Sequence, residues 1–312
     1  MISNVLANLI GRGWVSLVAI ALTPAYLAAL GVEAYGLIGA FAVIQTMLVL
    51  FDLSLGLTLN REFARLSGGP DESSVLMHSL LRTFEVVYWL VGIVLGISLV
   101  AAASFLSTAW FHPSQLTRAE ASTAVALMGL TLAFQWPSSL YSGGLLGLRR
   151  QVTANAILAG SATLRGLGAL AIIQVVPTIS AFFVWQVFAS IIQTGLLRVS
   201  LRRTLPNTTA RGRFDPRLLR SNAAFAAGVT GITLLGAVVT QLDKFVLSAL
   251  VPLQDFGYYA LAATVASGLY VFVTPVFNAA FPHLVSAGNE AELRSTYRRA
   301  CQIGSLVLLP PA

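Results

Sequence analysis

Five ionisable side chains stand inside long apolar stretches of this chain: Arg12, Asp52, Arg165, Asp243 and Lys244. A charge at the centre of a membrane helix costs ~2.5–3.5 kcal/mol on insertion scales, so each needs a partner, a cavity or a ligand. Arg165 lies near the middle of its stretch, flanked by Gly166 and Gly168, too deep for its stem to carry the charge to water. A guanidinium is a planar fork of donors that matches a phosphate or carboxylate, and an ion-pair partner for Arg165 would come from Asp52 or another acid within the apolar stretches. Arg12 and Asp52 sit toward the same ends of the first two stretches and either pair with each other or act separately. Asp243 and Lys244 are neighbours, which a helix points ~100° apart. They are not expected to neutralise each other face to face. At least one is expected to face a cavity, with Lys244 alternatively reaching the nearer surface.

Other chemistries find no support. His78, His112 and His283 are far apart and give no ligand-spaced cluster. Cys301 is the lone cysteine, which excludes an intrachain disulfide and a multi-thiolate metal site. There is no glycine-rich phosphate loop after a strand and no loop with clustered carboxylates. Neither a metal, a cofactor nor an enzyme constellation is expected.

The elements that must carry the five charges are membrane helices. The chain has 312 residues, is 56% hydrophobic and only 10% charged, and has a mean hydropathy of +0.80. A soluble domain carries roughly 25% charged residues. The apolar blocks are each about long enough to cross ~30 Å of hydrocarbon as ~20 helical residues. Spans are expected at 9–30, 36–59, 84–106, 121–146, 153–175, 179–201, 222–250 and 257–280. A ninth begins near 300 and holds too few residues to cross, so the sequence is expected to be part of a longer protein.

Orientation follows from the loops. With the N-terminus inside, fifteen arginines fall on inner loops, seven of them between 198 and 220, and Arg118 alone falls on an outer loop. That asymmetry places the N-terminus in the cytoplasm. It also assigns the net charge of +7 to a membrane face that attracts anionic lipid, and not to nucleic acid. The Asn207-Thr208-Thr209 sequon lies in the most basic inner loop and is set aside. Asp71 or Ser73 can cap a helix over 71–82, and Asn289 with Glu292 a second one. Either lies along the inner surface or extends the following span. Asp215-Pro216 reads as a helix start, and Glu85 is expected at the inner interface. Gly92-xxx-Gly96 and Gly143-xxx-Gly147 are expected to serve close packing within the bundle.

A repeat organises the chain. Leu30–Leu37, LGVEAYGL, is echoed 221 residues later around Asp255-Phe256-Gly257, where Phe256-Gly257 matches Tyr35-Gly36. Each copy is a short polar corner between two apolar spans. Six spans separate the copies, and an even number returns the chain to the same side. The copies are therefore parallel, related by an axis along the membrane normal. The first lobe is expected over 1–206 and the start of a second over 207–312, with a cleft between them.

The motifs LGVEAYGL (30–37), FDLSLGLTLNREFARL (51–66) and QLDKFVLSALVPLQDFGYYALAA (241–263), in this order and spacing, resemble the multidrug/oligosaccharidyl-lipid/polysaccharide (MOP) exporter superfamily. Within it, the chain is most similar to the polysaccharide-transport, O-antigen flippase branch. The resemblance implies an all-α polytopic membrane protein of two parallel six-helix lobes, the second truncated here, in the bacterial cytoplasmic membrane. It implies export of an undecaprenyl-diphosphate-linked oligosaccharide, with membrane lipids, a polysaccharide polymerase and glycosyltransferases as partners. Arg12, Arg165 and Lys244 would then hold the diphosphate, with Asp52 or Asp243 tuning those charges or coupling to an ion. Gly228-Val229-Thr230 departs from the branch, many members of which carry a proline early in the seventh span. Two rivals share the superfamily, a drug or metabolite antiporter and a lipid II flippase. A third is a non-transporting scaffold for glycan assembly. Acids usually hold the cations of antiporters, and three intramembrane cations against two acids disfavour that rival.

Overall fold

The computed structural model describes residues 2–48, 55–67, 71–110, 116–206 and 212–266, with 294, 297, 298 and 302. The described residues are helical throughout and include no strand: α1 (Ile2–Leu48), α2 (Leu55–Leu66), α3 (Asp71–Phe105), α4 (Arg118–Gln135), α5 (Ser138–Gly147), α6 (Gln151–Val175), α7 (Ile179–Thr204), α8 (Pro216–Leu250) and α9 over 253–266. A π-helical turn, Leu106–Trp110, ends α3.

The helices are apolar on more than one face because the surface meets lipid. Leu90, Ile93, Val94 and Ile97 of α3 are exposed at helical spacing, as are Phe188, Ile191, Ile192, Leu196 and Val199 of α7. In water such stripes would be a liability. Among the described residues, Leu17–Gln45, Ser73–Thr108, Gln151–Val175 and Ile179–Thr204 are long and apolar enough to cross a membrane. The expected span at 121–146 is broken into α4 and α5 at Trp136-Pro137, where proline removes a backbone donor. Asp71–Arg82 proves to be the start of α3, continuous with its span. Asp215 caps α8, accepting from the Arg217 amide with Pro216 in the first turn, as the sequence predicts. The Asn289 cap lies outside the described residues.

Gly31 reverses the chain within α1. Its φ of 83° and ψ of 169° are open to glycine and strained for other residues. A continuous helix would separate Thr23 from Tyr35 by ~18 Å, yet their hydroxyls lie 3.4 Å apart. The arm after Gly31 then packs on α9. A Cβ at Gly36 would come within 2.6 Å of the Leu253 carbonyl, and one at Gly257 would strike the Val32 carbonyl. Gly39 faces Ala260. The 221-residue shift carries Val32 to Leu253 and Gly36 to Gly257, so the first two contacts exchange under it, and Gly39 meets its own counterpart Ala260: the two copies meet symmetrically.

Small residues set the remaining close approaches. Gly92 and Gly96 of α3 lie against Ala133 of α4, and Gly143 of α5 lies against the backbone of Gly56 on α2. Both glycine pairs are thus used within the chain. Two apolar clusters result. One surrounds the corners and α4, α6 and α7, with Leu37, Met128, Phe183 and Phe256 at its centre. The other joins α2, α3, α5 and α7 around Phe63, Phe84 and Tyr141.

The first residues of α8 close onto the arginine-rich end of this second cluster. Asn222 accepts a hydrogen bond from Arg61 Nη2 at 3.1 Å, and Phe225 lies under the same guanidinium at 4.0 Å. Near the other end of α8, Trp110 Nε1 donates to Ser248 at 3.1 Å and packs on Phe245. Between these contacts Leu234, Leu235, Val238 and Val239 are exposed.

Candidate functional site

Arg165 is held by four helices. Its own backbone is clamped from two sides, which the flanking glycines permit. Tyr26 of α1 donates to the Gly166 carbonyl at 2.8 Å, and Leu22 occupies the space a Cβ at Gly166 would need. Trp185 of α7 donates to the Leu164 carbonyl at 3.1 Å and covers Gly168. These contacts oppose rotation of α6, and the half-buried Arg165 side chain is directed between α4 and α7.

Among the described residues it meets only neutral oxygens there. Nη1 donates to Gln135 Oε1 at 3.1 Å, and Nη2 donates to Ser190 Oγ at 3.2 Å and Gln193 Oε1 at 3.0 Å. Ser190 donates its own hydroxyl proton to the Gln186 carbonyl at 2.8 Å, which leaves its lone pairs for Arg165. Gln135 Oε1 also accepts from Gln45 Nε2 at 2.9 Å. A guanidinium has no acceptor, so Gln135 and Gln193 must turn their carbonyl oxygens toward it. The neighbouring Phe134 carbonyl accepts from Thr194 at 2.7 Å, fixing α4 against α7. Among the described residues no carboxylate lies within ion-pair distance of Arg165. Three of its five N–H groups are used, and Nε–H and one Nη1–H remain outside this shell. Among the described residues the site is a net positive charge inside an apolar bundle, able to receive an anion.

Of the other sequence candidates, Asp243 and Lys244 do not join this site. Arg12 falls on α1, but its side chain, like Asp52, lies outside the described residues. Asp243 and Lys244 lie on α8, near the end that Trp110 touches. The expectation that they would not neutralise each other needs correction, since Lys244 Nζ is 3.8 Å from Asp243 Oδ1. The four-carbon stem bends back over the turn, which the angle between Cβ directions does not forbid. Asp243 also accepts a hydrogen bond from the Tyr259 hydroxyl of α9.

Glu85 lies at the arginine-rich end, where the sequence expects the inner interface, and it is buried there, 2% exposed. Arg198 Nε reaches it at 2.6 Å, Arg202 Nη2 at 2.9 Å and Arg82 Nη1 at 3.9 Å, and the Tyr141 hydroxyl donates to it at 2.6 Å. Glu62, also buried, takes Arg61 and Arg65, each at 2.7 Å. Gln45, Gln135, Ser190 and Gln193 were missed by sequence reasoning. Their only signal was an amide or hydroxyl inside an apolar span, weaker than a charge.

Residues 1–287 match the family model described as polysaccharide biosynthesis protein. No curated protein matches the chain. The structure is similar to that of the MATE multidrug transporter DinF-BH, with a TM-score of 0.70 at 13% identity, covering 98% of this chain and 69% of that one. It is also similar to a multidrug resistance MATE family transporter of the MOP superfamily in its inward-facing conformation, with a TM-score of 0.64 at 12% identity, covering 97% and 68%. The fold is that of the MATE transporters, all-α with two parallel lobes of membrane-crossing helices.

Proposed function

This chain belongs to the polysaccharide biosynthesis protein family, and from that premise we propose that it moves an undecaprenyl-diphosphate-linked oligosaccharide across the bacterial cytoplasmic membrane by alternating access. In this reading 1–206 form one lobe, 207–312 begin the other, and the arginine-rich end faces the cytoplasm. The observation that carries the proposal is the guanidinium of Arg165, deep in an apolar helix and, among the described residues, surrounded by dipoles instead of a counter-charge. Such a cation is costly unless something negative visits it. A diphosphate has the charge and the oxygen geometry to use its free donors. The lipid tail would stay in the bilayer while the headgroup passes between lobes. Arg12 and Lys244 are proposed as further diphosphate contacts, and Asp52 and Asp243 as charge-tuning groups.

The test is complementation of a flippase-deficient strain by the full-length protein, with membrane abundance measured alongside. Arg165→Ala is expected to abolish glycan export at normal abundance. Normal export by that variant would end the proposal.

A second reading, export of drugs, is favoured by the two multidrug transporters that share the fold. An acid would then hold the substrate, and Asp243 is the candidate on α8. Loss of drug resistance in Asp243→Asn, with glycan export intact, would select it.

A further inference from the structure

We propose that Gln135 is the positioning residue that keeps Arg165 a net cation: a neutral amide, placed where a carboxylate would cancel the site. The inference rests on the reading of Arg165 as the anion contact. Gln135 stands at the last turn of α4, just before the Trp136-Pro137 break, and its Oε1 accepts from both Gln45 Nε2 and Arg165 Nη1. The second hydrogen bond holds the amide in the orientation that presents oxygen, because Gln45 offers a donor there. Gln135 thereby ties the arm of α1 after Gly31 to α4 and, through Arg165, to α6 and α7. A glutamate is the same shape. It would accept the same two hydrogen bonds, from Gln45 and from Arg165, and leave no net charge. The arginine-rich end shows that this chain uses carboxylates where it needs arginines neutralised, at Glu62 and Glu85. At Arg165 the corresponding places are filled by Gln135, Gln193 and Ser190. Holding the fork with amides fixes its direction while leaving its charge and two N–H groups for a ligand.

The arrangement makes Gln135 a determinant of selectivity for an anionic headgroup over a neutral one. The experiment measures binding of undecaprenyl diphosphate and of undecaprenol to the purified full-length protein in nanodiscs. Wild type is expected to prefer the diphosphate at least tenfold. Gln135→Glu is expected to bind undecaprenol as wild type does and to lose the preference for diphosphate to within about threefold, the loss a closer counter-charge imposes. Gln135→Ala removes the acceptor without adding charge and is expected to retain most of the preference. Equal loss of both ligands in Gln135→Glu would mark a merely structural residue and overturn the proposal. So would an unchanged preference in Gln135→Glu while Arg165→Ala abolishes it, which leaves the Arg165 reading standing. An unchanged preference in Arg165→Ala would instead remove that reading, and this inference with it.

Discussion

Glu85 and Arg165 are both ionisable side chains on long apolar helices, yet the first is enclosed by opposite charges and the second by dipoles. Around Glu85 three guanidiniums and a phenol converge on one buried carboxylate. Around Arg165 three neutral oxygens converge on one guanidinium. The guanidiniums that reach Glu85 are 40–54% exposed, so their excess positive charge is solvated at the end of the bundle. Arg165 has no such outlet. The same residue type therefore serves as a fastener at one depth and, among the described residues, as a charge met by dipoles alone at another, and its partners, more than its position in a span, tell the two apart.

That difference should separate stability from activity. Glu85→Ala leaves Arg198 and Arg202 without their shared anion and the Tyr141 hydroxyl without its acceptor. Removing one side of a buried ion pair costs about 3–5 kcal/mol, and the partial exposure of the arginines argues for the lower figure. Thermal unfolding in detergent should show the largest loss among these variants. Arg165→Ala should unfold close to wild type, because the freed amides can rotate and bond each other. A greater loss in Arg165→Ala than in Glu85→Ala would break the comparison.

Arg165→Lys sharpens it. An ammonium preserves the charge but not the fork, so Gln135, Gln193 and Ser190 cannot all be satisfied together with a diphosphate. Export measured by complementation should fall by about tenfold or more while abundance holds. Full export would mean that charge alone matters, and that Arg165 is closer to an ordinary solvated cation than the geometry implies.

Much of this was legible in the sequence. The block pattern of apolar residues announced the helices, and the 221-residue echo announced a corner-to-corner symmetry that Gly36, Gly39 and Gly257 then realise in contact. Arg165 stood out because a charge in an apolar run is expensive. The shell around it did not, because a glutamine in a span carries a smaller penalty than a charge and its pairing depends on which helices become neighbours. For Glu85 the sequence places the residue at the end of a span but does not reveal its burial, because α7 brings Arg198 and Arg202 over it, a tertiary fact that no local pattern encodes. Lys244 and Asp243 failed differently, since a rule about Cβ directions was applied to a side chain long enough to ignore it.

Arg61 is an intermediate case. It is paired with Glu62 like the fasteners, but it also reaches across to Asn222 and Phe225 of α8. A cation over an aromatic ring at a partly exposed site contributes ~0.5–1 kcal/mol. Arg61→Ala should therefore cost about 1 kcal/mol in thermal unfolding, and it should alter export more than its stability loss explains if α8 parts from α2 during transport. An export rate equal to wild type would class it with the static pairs.

The smallest effect belongs to Glu62, at the far end of α2 and outside the membrane-crossing segments. Burial alone would raise its carboxyl, but hydrogen bonds from Arg65 and Arg61 outweigh burial and hold it below its ordinary value of 4.5. A carboxyl whose folded value is depressed adds stability that is fully present above the unfolded value and is lost as pH falls through the folded one. The contribution of Glu62 should therefore be constant from about pH 7 to about pH 5 and decline below about pH 4.5. Its partners are 44% and 65% exposed, so solvent screens both pairs and the whole effect should stay below about 1 kcal/mol. Thermal unfolding of wild type and Glu62→Gln at about pH 7 and about pH 4 reads it directly: a small gap at the higher pH should narrow at the lower. A gap that widens with acid would mean that the neutral carboxyl is the stabilising form, and that this end of the bundle is not held together by charge in the way Glu85 implies.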